Sequence, residues 1–329
     1  MTVVRIGISG CGAIGRAHAR RLKSLGADLA FFSRTRDKAV SFAQRFDGTV
    51  CDRYDELVAA SDGVVVASPP QAHVEQVVAS LGHGTPVLAE KPLCLSREEL
   101  ERIEAAGSSA PSGAFAMVAE NHYYKPAVLS MREILARDGI GRVRRIEASK
   151  RNRRETSGWK AACGGLLEGG IHFVAQAADL ADAALADGQD PAPVRAPISV
   201  AAEFPTAVRG QPERNAKLRL EYEGGLRADV HYAWDVPVLL KGVFQHSRVE
   251  GETGRIVYET NGLYLQVRGL HVRGSGRRGL SIPGFADMGY RGMMLDFLRC
   301  LENRGAPYSN LVRARRDLDI VFRAYEQLP

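Results

Sequence analysis

Gly10-Cys11-Gly12-Ala13-Ile14-Gly15 is a G-x-G-x-x-G stretch, a pattern that carries weight only between a strand and a helix. Both are predicted here. Residues 3–9 read as a strand, and Ile14, Ala17, Leu22 and Leu25 mark one face of a helix that ends at Gly26. In this setting Gly10 allows the tight turn, Gly12 lets a backbone approach a pyrophosphate, and Gly15 lets helix and strand pack closely. The first amides of the helix, those of Ala13 and Ile14 included, then face the phosphates. A tight turn that holds no ligand is the blander reading of the same residues.

The next strand, 28–32, ends at the position that tells NAD from NADP. An NAD-binding chain carries Asp or Glu there for the ribose hydroxyls. This chain has Ser33-Arg34-Thr35-Arg36, with no acid before Asp37. Ser33 and Thr35 can donate to a 2′-phosphate and Arg34 can pair with it bidentately. Asp37 reads as the cap of the following helix. The cofactor expected is therefore NADP (NADPH) rather than NAD.

Outward from that start, strands at 63–67, 86–89 and 114–119 alternate with helices opening near Lys38, Tyr54, His73 and Ser96. Ser96 with Glu99 forms a capping box. Such βαβ alternation predicts a parallel sheet covered by helices. After Asn121 the pattern changes. A helix at 126–136 precedes strand-like stretches at 142–151, 198–204, 216–222, 226–234, 243–250, 255–259 and 263–267. Gly224-Gly225 and Asn261-Gly262 read as hairpin turns between them, and 183–197 as a surface excursion. Two helices close the chain. Met294, Phe297, Leu298 and Leu301 form the core stripe of one, and Leu311, Ala314, Leu318, Val321 and Tyr325 that of the other. The fold class expected is α/β: an N-terminal Rossmann domain over 1–121, then an α/β domain over 122–329 with an open, mostly antiparallel sheet. The last helix can pack back on the first domain.

Composition bounds the rest. The 329 residues suit two domains. No apolar run approaches a membrane span, and Arg5 interrupts any signal-like segment, so a cytoplasmic protein is expected. The five cysteines are odd in number and none has C-x-x-C spacing, which indicates neither disulfides nor zinc. A net charge of +6 is spread over the chain rather than gathered in a stripe, which argues against nucleic acid and favours an anionic small molecule.

Further motifs follow in order: Ser68-Pro69-Pro70 and His73, Glu90-Lys91-Pro92, Asn121 through Pro126, Gly139-Ile140-Gly141, Trp159-Lys160, and residues 164–172 ending in Glu168, Gly170 and His172. In that order and spacing they resemble the Gfo/Idh/MocA family, which includes glucose-fructose oxidoreductase, inositol dehydrogenase and rhizopine-catabolism proteins. The resemblance spans nearly the whole chain. It implies an NAD(P)-dependent oxidoreductase acting on carbinol or carbonyl carbons of sugars and cyclitols, assembled as a homodimer or homotetramer through the open sheet. It places Lys91 beside the nicotinamide and the reacting oxygen, Glu90 near the nicotinamide ribose, a cis peptide before Pro92, and Ser68, Pro69 and His73 at the cofactor.

The family's glycine-rich stretch ends in an aspartate and, four residues on, a histidine. Here these are Glu168 and His172, which share a face if the segment is helical. Glutamate for aspartate adds a methylene and puts a direct role for Glu168 in question. Tyr123 stands where many relatives have arginine. With His122 and Tyr124 it gives the site an aromatic wall. Two groups can exchange the hydroxyl proton: Lys91 as the direct acid/base with His172 relaying, or the reverse. One Glu and one His are too few for a metal. Lys150, Arg151, Arg153, Arg154 and Lys160 crowd the segment that lines the family's pocket entrance. With Trp159 they suit a phosphate, uronate or nucleotide-linked sugar, or else form a solvated loop. A reductase of imines and a non-catalytic dinucleotide sensor are the alternatives. The Lys91 and His172 pair favours the enzyme.

Overall fold

The computed structural model describes residues 4–155, 158–186, 192–238, 244–269, 280–281 and 288–329. Residues 187–191 of the expected surface excursion and residue 243 of an expected strand lie outside these. The chain divides into two units: residues 1–120 with 291–314, and residues 121–290 with 315–329.

In the first unit the strands are β1 (Arg5–Ser9), β2 (Asp28–Phe32), β3 (Thr49–Val50), β4 (Gly63–Val66), β5 (Val87–Ala89) and β6 (Ala116–Val118). They lie in the order β3-β2-β1-β4-β5-β6, and every pairing is parallel. The helices are α1 (Ala13–Ser24), α2 (Arg36–Phe46), α3 (Tyr54–Ala59), α4 (His73–His83) and α5 (Arg97–Ser109). Val64, Val65 and Val66 are fully buried, as a sheet covered on both faces requires. This is the doubly wound order expected, and its crossovers reverse between β1 and β4. The two-residue β3 is too short to mark itself in the sequence. Ser96 accepts from the Glu99 amide at 3.3 Å, closing the cap foreseen there. Asp37 is not the cap of α2; Thr35 is, and Asp37 sits in the first turn.

Ser9 pairs with Val66 and Val66 with Ala89. The chain segments that follow β1, β4 and β5 therefore leave the sheet side by side on one edge.

Near the chain's end α9 (Tyr290–Asn303) joins this first unit, while most of α10 (Leu311–Tyr325) belongs to the second. The core face of α9 is Met293, Met294, Phe297 and Cys300, one step round from the stripe expected. Leu298 and Leu301 are only half-buried.

The second unit contains α6 (Pro126–Ala136), α7 (Trp159–Ala162), α8 (Ile171–Ala184) and the strands β7 (Val143–Arg151), β8 (Ser199–Glu203), β9 (Asn215–Glu221), β10 (Arg227–Ala233), β11 (His246–Gly251), β12 (Gly254–Glu259), β13 (Leu265–Gly269) and β14 (Leu280–Ser281). Their order is β14-β13-β12-β11-β7-β10-β9-β8, and only β7 with β10 is parallel. The β9–β10 hairpin turns through Gly224 and Gly225, both at positive φ, which glycine adopts at no steric cost. α8 lies on one sheet face and is buried all round. A helix buried on every side carries no amphipathic stripe, so nothing in the sequence delimits it. The opposite face is open and ionic: Arg145 meets Asp229 at 2.8 Å and Glu147 at 2.6 Å, and Arg248 meets Glu147 at 2.7 Å.

Phe297 is fully buried and packs edge-on against Phe115 at 6.0 Å, and a Cβ at Gly63 would lie 3.0 Å from its ring. Phe297→Ala should cost about 3–5 kcal/mol of stability. Urea unfolding read on the first unit checks this, and a loss under 1 kcal/mol would show that α9 contributes little to that core.

Candidate functional site

In the first unit the glycine-rich turn has the form a pyrophosphate needs. Gly10 adopts φ +104°, and a Cβ there would meet the Ala67 carbonyl oxygen at 2.4 Å. A Cβ on Gly15 would lie 2.0 Å from the Gly10 oxygen, so helix and strand touch backbone to backbone. At Gly12 a Cβ would meet nothing within 4 Å, which leaves open space where a ligand backbone would approach. No side chain caps α1, and its first turn holds no acid. The amides of Ala13 and Ile14 therefore present positive charge to solvent. These features fit a dinucleotide diphosphate.

After β2, Ser33 Oγ accepts from the Thr35 amide at 3.3 Å. Arg34 is exposed and has no hydrogen bond or ion pair among the described residues. Arg36 is already paired with Asp52 at 2.7 Å. Of the two arginines, Arg34 is thus the one at hand for a phosphate.

Glu90-Lys91-Pro92 leaves β5 with the Glu90 amide donating to the Val66 oxygen at 2.9 Å. The Lys91-Pro92 peptide is cis. His18 Nε2, from α1, donates to Glu90 Oε1 at 2.6 Å. His73, at the start of α4, has no exposed surface. Its Nδ1 lies 2.9 Å from the Pro92 oxygen and its Nε2 2.9 Å from the Ser68 oxygen. Two carbonyl acceptors and the Glu90 charge favour a cationic ring, but burial outweighs them and pushes the His73 pKa down. A neutral ring has one N–H and donates to one of the two carbonyls; with no exposed surface, His73 sits inside the unit between the Ser68-Pro69 turn and the Lys91 turn. Ser68 Oγ donates to Gln76 Oε1 at 2.8 Å, and Lys91 is half-buried.

In the second unit the 164–172 stretch winds as a π-helix over Leu166–Gly170 and then runs into α8. The wider π turn, with bonds from i to i+5, takes in Glu168 but not His172. Glu168, 1% exposed, meets Lys160 Nζ at 3.0 Å and Arg154 Nη1 at 3.2 Å. Lys160 also lies over the Trp159 ring at 5.5 Å. The His172 ring stacks on His122 at 4.6 Å and 13°. His122 is set in turn by Lys125 Nζ, 2.7 Å from its Nε2, and by Gln176 Oε1, 3.3 Å from its Nδ1. Lys125 and Gln176 went unread in the sequence, although Gln176 lies four residues after His172 on one helix.

Three expectations are corrected. Tyr123 is 1% exposed and its hydroxyl contacts Asp317 and Arg316, so it belongs to the interior and not to a substrate-facing wall. Lys150 is 8% exposed because it points to the covered face of β7. Arg151 follows Arg145, Glu147 and Ser149 onto the open face, away from α8, since strand side chains alternate. Of the five cations, Arg154 and Lys160 are paired with Glu168, Arg153 is exposed, and Arg151 is exposed on the open sheet face.

Comparison with known proteins bears on both halves. Residues 4–111 match the NAD-binding Rossmann-fold model of the GFO/IDH/MocA oxidoreductase family, and residues 128–257 match the GFO/IDH/MocA C-terminal domain. The chain belongs to the GFO/IDH/MocA family. It is 31% identical over 182 residues to glucose-6-phosphate 3-dehydrogenase of Bacillus subtilis (strain 168), covering 52% of this chain and 51% of that one. It is 34% identical over 162 residues to an inositol 2-dehydrogenase of Gluconacetobacter diazotrophicus, covering 47% and 48%. The chain thus spans about half the length of the curated relatives it matches. Among solved structures, UDP-N-acetylglucosamine 3-dehydrogenase from Acidithiobacillus ferrooxidans superposes with a TM-score of 0.81 at 18% identity, covering 100% of this chain and 98% of the other. That likeness shows the fold.

The family's glycine-rich segment is anchored here by Glu213, which is 3% exposed. Its Oε1 accepts from the Leu166 amide at 2.5 Å and from the Tyr325 hydroxyl at 3.1 Å. A Cβ on Gly164 would fall 1.7 Å from Glu213 Oε2, so a larger residue there would displace the Glu213 carboxyl. Burial raises this carboxyl from 4.5 to about 7, against the pull of the Leu166 amide and the Tyr325 hydroxyl. Between those values the folded state holds a proton that the unfolded state has lost, so stability falls as pH rises through that window. The cost is complete above about pH 7 and amounts to about 3 kcal/mol. Glu213→Gln keeps the Oε1 acceptor and should remove this slope, making the variant more stable than the wild type at pH 8. Urea melts from pH 5 to 8 check this, and parallel pH profiles for the two proteins would refute it.

Proposed function

We propose that this chain is an NADP(H)-dependent oxidoreductase acting on a hydroxyl-bearing or keto carbon of a sugar, cyclitol or sugar derivative. The observation that carries the reading is the shared sheet edge in the first unit. The glycine turn that fits a diphosphate follows β1 and the turn bearing Lys91 follows β5, with β4 alone between them, beside the switch point where such sheets bind nucleotides. The relatives point the same way, since one acts on glucose 6-phosphate and the other on inositol.

A bound nicotinamide supplies or takes the hydride. The protein's own part is to hold the cofactor and move a proton. The amides at Gly12, Ala13 and Ile14 take the diphosphate, with Gly10 and Gly15 shaping the turn. Ser33, Arg34 and Thr35 take the 2′-phosphate. Ser68, Pro69 and Glu90 line the remainder. Lys91 exchanges the proton of the reacting hydroxyl, and His172 is the second group able to do so. Trp159 and the Glu168–Lys160 pair orient the substrate. An anionic substrate has less support than five cations together would give, because Glu168 offsets one of the two charges of Arg154 and Lys160 and because Lys150 and Arg151 lie on opposite faces of β7. The ionic open sheet suits pairing with a second copy of the chain, and we place the protein in the cytoplasm.

Cofactor choice should rest on Arg34. Arg34→Ala should weaken NADPH binding by about 1.5–3 kcal/mol, the range for a hydrogen bond to a charged group, and leave NADH nearly unchanged. Fluorescence titration of both cofactors measures it, and equal wild-type affinity for the two would overturn the NADP assignment. Turnover should rest on Lys91. On a panel of inositols, hexoses, hexose phosphates and nucleotide sugars, Lys91→Met should lower kcat by about 10²–10⁴, while NADPH affinity holds. A Lys91→Met variant with normal single-turnover rates, beside an inactive His172→Asn, would reverse the two roles.

A further inference from the structure

The proposed proton-exchanging side chain sits on a turn that leaves the sheet after Ala89. A lysine on an unsupported turn would sample many positions, and acid–base chemistry tolerates little of that. The turn is gripped on both flanks by buried histidines from different helices. On one side His18, fully buried in α1, donates to Glu90 Oε1 at 2.6 Å. Glu90 Oε2 in turn accepts from the Lys91 amide at 3.3 Å. On the other side His73, fully buried at the start of α4, sits between the Pro92 and Ser68 oxygens, 2.9 Å from each, with an N–H for one of them. Neither ring is spent on filling space alone, since apolar residues of similar volume would pack there without polar atoms to satisfy.

We propose that His18 and His73 are positioning residues that brace the Lys91 turn from its two sides, His18 through the Glu90 carboxylate and His73 through the Pro92 carbonyl. The inference rests on the proposed role of Lys91 for its meaning, but the brace itself can be tested without a substrate. Because α1 also carries the glycine turn, His18 ties the proposed diphosphate site to the Lys91 turn through one rigid helix.

The test is competitive labelling of the full-length protein with trace acetic anhydride across a pH series. Mass spectrometry reads Lys91, with exposed Lys38 and Lys217 as internal standards. His18→Leu and His73→Leu should raise the Lys91 rate by about tenfold, the order of one hydrogen bond to a charged group, and change its pH profile. Lys38 and Lys217 should hold their wild-type rates. His18→Gln, which keeps a donor near the Nε2 position, should restore the Lys91 profile. Should the leucine variants fail to fold, Glu90→Gln weakens the His18 contact at nearly constant volume and should raise the Lys91 rate in the same selective way. A Lys91 rate that is unchanged or lowered in folded variants, or that rises together with both standards, overturns the brace. Labelling does not depend on turnover. An active Lys91→Met would therefore overturn the catalytic reading and leave the brace standing, and a failed brace would leave that reading untouched.

Discussion

The contact between Gly15 and the Gly10 carbonyl governs the first unit. It exists because neither residue has a Cβ: one at Gly15 would lie 2.0 Å from that oxygen. The close approach sets the angle at which α1 leaves β1. That angle opens space at Gly12 and carries His18 down to Glu90, 72 positions further along the chain. A single larger side chain at position 15 would move the diphosphate cradle and the support of Lys91 together.

The second unit repeats the logic in a different element. Gly164, Gly165, Gly169 and Gly170 let the glycine-rich segment lie against Glu213, Trp234 and Tyr232, where added methyl groups would collide. Once the backbone is that close, Glu213 can serve the Leu166 amide, and a π turn follows that carries Glu168. The carboxylate faces cations, and the imidazole faces another imidazole. Here glycine spacing acts through surface contact, with no positive φ in the segment.

Much of this was legible in the sequence. Period and turn chemistry located the parallel strands and the hairpin at Gly224-Gly225, and motif context singled out Lys91, Glu90 and His172. The misses have physical causes. The element α8 is buried on every side, so no stripe marks its length. The basic run from Lys150 to Lys160 looks like one patch in one dimension, but strand alternation divides Lys150 from Arg151, and Glu168 captures Arg154 and Lys160. His73 reads as a ligand only because a histidine beside a cofactor motif invites that reading; its two carbonyl neighbours are far apart in the chain. Tyr123 looks like a pocket wall until Asp317 and Arg316, nearly two hundred residues on, close around its hydroxyl.

That last cluster bears on how the chain can change. The resemblance leads one to expect arginine at 123. Here the guanidinium comes instead from Arg316, buried to 5% exposure, paired with Asp182 and Asp317 and donating to the Tyr123 hydroxyl at 3.0 Å. A buried ion cluster tolerates neither a missing partner nor an extra charge. An arginine at 123 would bring a second guanidinium to the same carboxylates, and removing Arg316 would take a buried cation from Asp182 and Asp317. A charged group placed at 123 therefore calls for a matching change among Arg316, Asp182 and Asp317.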